Sequence, residues 1–238
     1  MEKQNKVEIQ KTENYHYVLL GFATFKEVLK KLEGILKFYR LQNEGKANAK
    51  EIIYDVPNNL LSDAGIVISK QFEEGKVLFN VRKISWLPGA LKRPSKKFNL
   101  GEFQRDEEPK DFSLEISSAI ENSFSTPFTV DLDSIVRQTI PKIEIKINAE
   151  KVKIIGGTGF RAYIIYENVS YKDIKTNKVV ERDGVTLQLS TLDEFAEENK
   201  KLLDIIETNV CELGKFNASR FEIAQKLLYP KDEEETEE

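Results

Sequence analysis

Hydrophobic and polar positions in this chain fall into short blocks whose period changes from two to between three and four and back. Residues 7 to 21 alternate, with Tyr15, Tyr17 and Leu19 set against His16, Val18 and Leu20, and read as one or two strands. Thr24 then stands three residues before Glu27, the spacing of a helix capping box. Val28, Leu29, Leu32, Ile35 and Leu36 follow as an apolar stripe, which predicts a helix. Residues 42 to 50 are polar and are expected to form a loop. Strands are expected at about 51 to 55, 65 to 72 and 76 to 86, the last two joined as a hairpin through Glu73-Glu74-Gly75. Three prolines, two glycines and many charges make 87 to 111 an expected long loop, and 112 to 122 a short helix carrying Phe112, Leu114, Ile116 and Ile120.

The second half restarts with strands. Ile143, Ile145 and Ile147 alternate with Glu144, Lys146 and Asn148. A turn is expected at Asn148-Ala149-Glu150, and a returning strand over Val152 to Ile155. Gly156 to Gly159 connects to a strand from Arg161 to Tyr171. A turn-bounded segment from Asp173 to Asp183 and a short strand from Val185 to Leu189 come next. Helices are expected from Leu192 to about Glu212 and from Ser219 to Leu228. No repeat is visible by residue identity. The order of strands then helix nevertheless occurs twice, over about 7–125 and 140–228, as in one pseudo-symmetric domain over 1–230.

Composition narrows the class. Hydrophobic residues make up 40% and charged residues 32% of 238, the balance of an ordinary soluble domain. No apolar run reaches the ~20 residues needed to span a bilayer. The first residues lead into no apolar core of a secretory signal, and the expected location is the cytoplasm. With one cysteine, Cys211, an internal disulfide and a multi-cysteine zinc site are excluded. Residues 231–238 hold one Lys, one Asp and five Glu, a run expected to be disordered. Without that run the formal charge of −4 becomes about +1, so the body carries no large basic excess and nucleic acid is not the expected partner.

Candidate chemistry lies on the polar sides of the strands. Several are cationic: Arg82 with Asn80, Lys146 beside Glu144, Lys151 with Lys153, and Arg161. Such a side is either a solvated strand face or the wall of a cavity in which converging cations require an anion. Arg suits phosphate through its bidentate fork, and Lys serves as a point charge.

Tyr54-Asp55-Val56-Pro57, followed by Gly65 to Ile68 and two strands ending at Arg82, resembles the Tyr-Asp-Thr-Pro element and its sequel in the CYTH family, the triphosphate tunnel proteins. Val56 replaces the Thr. The two Arg positions that normally follow align with Ser69 and Gln71, and Lys70 between them points to the other face. A family Lys aligns with Arg82, Arg161 stands for a tunnel-lining Arg, and Ser219-Arg220 is similar to the late Ser-Lys element. Of the family's Glu-x-Glu-x-Lys, only Glu8 remains in Glu8-Ile9-Gln10-Lys11-Thr12. The late acidic strand falls at Leu187-Gln188-Leu189, without a carboxylate, and Glu144 is the other candidate.

The resemblance implies an α+β fold, an antiparallel β-barrel forming a tunnel with helices packed outside. It implies a polyphosphate or nucleoside triphosphate ligand held by Arg82, Lys146, Arg161 and Arg220. A divalent metal, magnesium or manganese, would be held by Glu144 and Glu8 if the chain is active. Two activities stay open: metal-dependent hydrolysis of a triphosphate, and a diverged tunnel that binds polyphosphate or nucleotide without turnover as a sensor or scaffold. A protein-interaction module using the 87–111 loop is a third reading.

The remaining motifs carry less. His16 is the only histidine and is expected to pack or to lie at the surface. Cys211 is expected to be a buried, inert thiol. Gly156-Gly157-Thr158-Gly159 lacks the Lys-Ser or Lys-Thr of a phosphate-binding loop and reads as a turn. Lys92-Arg93-Pro94-Ser95-Lys96-Lys97 reads as a solvated basic loop. Phe22, Phe25, Phe38 and Tyr39 are expected in the core.

Overall fold

The computed structural model describes residues 12–73, 75–83, 97–102, 106–123, 131–216, 218 and 220–230. The expectations for Glu8, for residues 84–96 with their basic cluster, for Ser219 and for the 231–238 tail lie outside the described residues. Among the described residues nine strands form one sheet: β1 (Thr12–Leu19), β2 (Arg40–Asp55), β3 (Ile66–Glu73), β4 (Lys76–Lys83), β5 (Lys97–Glu102), β6 (Ile140–Ile155), β7 (Arg161–Asp173), β8 (Val179–Ser190) and β9 (Leu213–Lys215). Their order is β5-β4-β3-β2-β6-β7-β8-β1-β9, with β5 and β9 as its two edges. The helices are α1 (Phe25–Ile35), α2 (Leu60–Asp63), α3 (Ser113–Ser123), α4 (Leu132–Arg137), α5 (Ala196–Asn209) and α6 (Arg220–Leu228). The fold is α+β with an antiparallel sheet, as expected.

The chain divides into two compact units. The first takes the described parts of Met1–Ala47, Asn148–Asn168 and Arg182–Asn217. Its core joins Val28 and Leu32 of α1, Leu36 at its C-terminal cap, and Leu202 and Ile206 of α5 to Tyr17, Val152, Ile154, Ala162, Ile164, Val185, Leu187 and Leu189 of the strands. The burial of Leu187 and Leu189 turns Gln188 to the opposite side of the sheet. The capping box forms as expected: the Thr24 hydroxyl accepts from Glu27 N at 3.3 Å, and Glu27 accepts from Thr24 N at 2.8 Å.

The second unit takes the described parts of Asn48–Ile147, Val169–Glu181 and Ala218–Glu238. One core of this unit sets Tyr54, Ile66, Ile68 and Val81 against Ile116, Ala119 and Ile120 of α3 and Leu132 and Val136 of α4. The β3–β4 hairpin pairs as its sequence predicts, from Ile66 opposite Lys83 to Glu73 opposite Lys76.

Several expectations are corrected. The polar stretch 42–50 is not a loop but the first part of β2, where residues 43–48 are exposed and alternation has nothing to report. Asn148-Ala149-Glu150 makes no turn, and β6 runs through it without a break. The 87–111 excursion contains β5, which pairs with β4, and a 3₁₀ turn at Pro109–Phe112. The sequence reading missed α4 and β9. Phe22 and Phe38 are 103% and 93% exposed, because they flank the ends of α1 and not its apolar stripe. Cys211 lies beyond the end of α5 and is exposed.

Candidate functional site

Strand pairing gathers polar side chains on one side of the second unit. In the β2–β3 ladder Glu51 is opposite Gln71 and Ile53 opposite Ser69. In the β3–β4 ladder Ser69 is opposite Asn80 and Val67 opposite Arg82. Side chains alternate along each strand, so Glu51, Ser69, Gln71, Asn80 and Arg82 share a side, away from the α3–α4 core. Glu51 is 1% exposed, and Ser69 and Asn80 are fully buried. The Arg82 Nη2 donates to Glu51 Oε1 and to Ser69 Oγ at 3.3 Å. Asn80 Nδ2 donates to Gln71 Oε1 at 3.1 Å. Asn80 Oδ1 and Arg82 Nε are buried and have no hydrogen-bond partner among the described residues. A stranded buried polar atom costs about 1–3 kcal/mol. A ligand that offered one acceptor and one donor here would recover part of that cost.

The other side of the same strands is different. Lys70 is 1% exposed, donates to the Glu107 carbonyl, and lies 5.6 and 5.4 Å from the ring centroids of Phe72 and Phe79. Lys50, the neighbour of Glu51, therefore also points away from it. Glu144 binds Lys50 at 2.5 Å through Oε2 and Lys146 at 3.2 Å through Oε1. Hydrogen bonding from Lys50 first, and then from Lys146, holds the Glu144 carboxyl below the ordinary carboxylate range. The structure thus groups Glu144 and Lys146 with Lys50 and not with Arg82. Arg220 is the first residue of α6 in this unit.

In the first unit, a cationic side lies opposite the α1–α5 core. Val152 and Ile154 face that core, so Lys151 and Lys153 face away. The Lys151 ammonium lies 3.8 Å from the centroid of Tyr163, and that of Lys153 lies 5.8 Å from it and 3.4 Å from Glu44. Arg161, exposed at the start of β7, is two residues from Tyr163 and shares its side. His16 bonds Thr186 across the β1–β8 ladder at 3.0 Å, a packing role consistent with its expectation.

Asp55, in the Tyr54-Asp55-Val56-Pro57 element, is 2% exposed. It accepts from Val56 N at 2.7 Å, from Leu61 N and Ser62 N at 3.1 Å each, and from the Ser62 hydroxyl. Its oxygens are committed to closing the turn into α2. Glu51 was missed by the sequence reading. The available signal was a carboxylate two residues before the apolar Ile53, on the same side of the strand.

The described carboxylates do not fit a resident divalent metal. Magnesium asks for free oxygen donors in near-octahedral array. Both Glu144 oxygens carry lysine ammonium groups, and the Glu51 carboxylate carries the Arg82 guanidinium. Among the described residues no group of three or more His, Cys, Asp or Glu side chains converges.

No protein-family model and no curated protein matches the chain. Solved structures do. One is a candidate adenylyl cyclase from Hippeastrum described as revealing a dominant triphosphatase activity. It is 9% identical, with TM-score 0.51, over 90% of this chain and 94% of its own. A candidate adenylate cyclase from Bacillus halodurans is 13% identical, with TM-score 0.48, over 94% of this chain and 98% of its own. The PH1819 protein of Pyrococcus horikoshii is 11% identical, with TM-score 0.45, over 90% and 99%. The chain shares the fold of the Hippeastrum protein, in keeping with the fold expected from the CYTH resemblance.

Proposed function

We propose that the chain binds a linear triphosphate, inorganic or carried on a nucleoside, and that Arg82 is the central phosphate contact. The observation that carries this reading is the Arg82 guanidinium in a buried polar row, with its Nε unpartnered among the described residues. An Arg fork desolvated in this way binds a phosphoryl group through two parallel, charge-assisted bonds. The likeness to the Hippeastrum protein supports the ligand class. Arg220, in the same unit, is proposed as a further phosphate contact, and the cytoplasm as the place of action; Lys146 and Arg161 are not carried into the Arg82 site.

A second reading is hydrolysis of the same triphosphate with magnesium or manganese. It is favoured by the triphosphatase activity described for the Hippeastrum protein. One experiment tests both. Thermal shift with tripolyphosphate and with ATP, in chelator, reads binding; phosphate release with magnesium or manganese reads turnover. Arg82→Ala is expected to weaken tripolyphosphate binding at least tenfold. Unchanged affinity in that variant would remove Arg82 from the site, and phosphate release above a blank would establish the second reading.

A further inference from the structure

We infer that Glu51 is a built-in competitor for the ligand: its carboxylate holds the Arg82 guanidinium in the absence of phosphate and must be displaced for phosphate to bind. This rests on the proposed phosphate-binding role of Arg82 and adds a regulator to the same site. Glu51 is buried and Arg82 partly buried, with side-chain exposures of 2% and 18%. A carboxylate and a phosphoryl group present the same chemistry to a guanidinium, two acceptor oxygens for its two parallel N–H bonds. Arg82 Nη2 is already divided between Glu51 and Ser69, while its Nε has no partner among the described residues.

Glu51 therefore takes only part of the donor fork. An incoming phosphate can pair with Nε, which has no partner among the described residues, but meets the Glu51 charge at the remaining donors. In a buried row with little water to screen it, that like-charge contact opposes binding. Glu51 has no freedom to retreat into solvent, since it lies on a central strand, paired with Gln71 of β3. The carboxylate thus raises the ligand concentration at which the site fills. It also stops Arg82 from standing as an unpaired buried charge while the site is empty.

The two duties make opposite predictions for Glu51→Gln, which keeps the shape and removes the charge. Loss of the ion pair lowers the melting temperature of the free protein. Loss of the competitor tightens tripolyphosphate binding. The expected result, by titration calorimetry in chelator, is a Kd at least tenfold lower than that of the unaltered protein. The ligand-induced rise in melting temperature should be larger as well. A purely structural Glu51 gives the lower melting temperature with equal or weaker binding, and that result overturns the inference.

Glu51→Asp, with a shorter reach to Arg82, is the second variant. It should bind about threefold tighter, and it decides the matter if Glu51→Gln does not fold. Binding by the unaltered protein with no gain in the folded variant rejects the competitor role alone. Binding by neither protein rejects the phosphate site itself. Binding only by the variant supports both.

Discussion

Asp55→Ala should be among the most destabilising single substitutions in the second unit, and the structure sets its size. The four-residue α2 begins after Asn59, which makes no side-chain cap. The amides of Leu61 and Ser62 are served instead by Asp55, from six and seven residues back, at 3.1 Å each. Val56 N, at 2.7 Å, and the Ser62 hydroxyl complete four donors on one carboxylate that is 2% exposed. Alanine removes the acceptor and strands several buried donors, each worth about 1–3 kcal/mol when unsatisfied. Water entering the space left behind recovers part of this, so a net loss of about 4 kcal/mol is expected. For a chain of this length, ~2–4 °C per kcal/mol turns that into a fall of ~8–16 °C in melting temperature. Asp55→Asn keeps one acceptor but turns an amide donor toward the remaining N–H groups, and should lose about half as much. Urea titration of both variants, with Asp63→Ala on the exposed end of α2 as control, measures the difference. A loss below about 1 kcal/mol for Asp55→Ala would refute the claim that this carboxylate closes the turn.

Glu144 should make stability depend on acid. Its carboxyl is held below the ordinary 4.5 by Lys50 and Lys146, so its contribution is complete above that value and is lost as pH falls through the lower, folded value. For a partly exposed cluster the contribution is about 0.5–1 kcal/mol. The gap between the unaltered protein and Glu144→Gln in urea midpoint should be present at pH 7 and absent near pH 3, and a gap independent of pH would argue against the cluster. Phe25→Ala should cost about 3–5 kcal/mol, since Phe25 is 7% exposed and stacks on Tyr166 at 5.1 Å. Phe22→Ser should change stability by less than about 0.5 kcal/mol, as measured by the same titration.

The Thr24–Glu27 box and the β3–β4 hairpin were legible because their signals are local: a cap three residues away, and a turn between alternating strands. The beginning of β2 was not legible. Its residues are exposed, and what extends them is pairing with strands far along the chain. The middle of β6 failed for a related reason, since Asn148-Ala149-Glu150 has turn-like residues that a neighbouring strand holds straight. At the candidate site Arg82 was found through its place in a known pattern. Glu144 and Lys146 carry suitable chemistry, but their side of the sheet depends on the partner strand, and Lys50 fixes it opposite to Glu51. Glu51 was not legible, because a lone acid in a strand reads as solvated unless the arginine that bonds it is known.

The pairing of β1 with β8 has a consequence during synthesis. His16 and Thr186, bonded across that ladder, are 170 residues apart. At about 5–20 residues per second, the first strand waits roughly 10–30 s on the ribosome for its partner to be made. Throughout that interval Tyr15, Tyr17 and Leu19, which later join or pack against the first core, have no β8 to lie beside. Until then a chaperone over the first strand, or a low local concentration of like chains, would limit mispairing. Yield in cells should respond to translation speed more sharply than the finished fold responds to temperature.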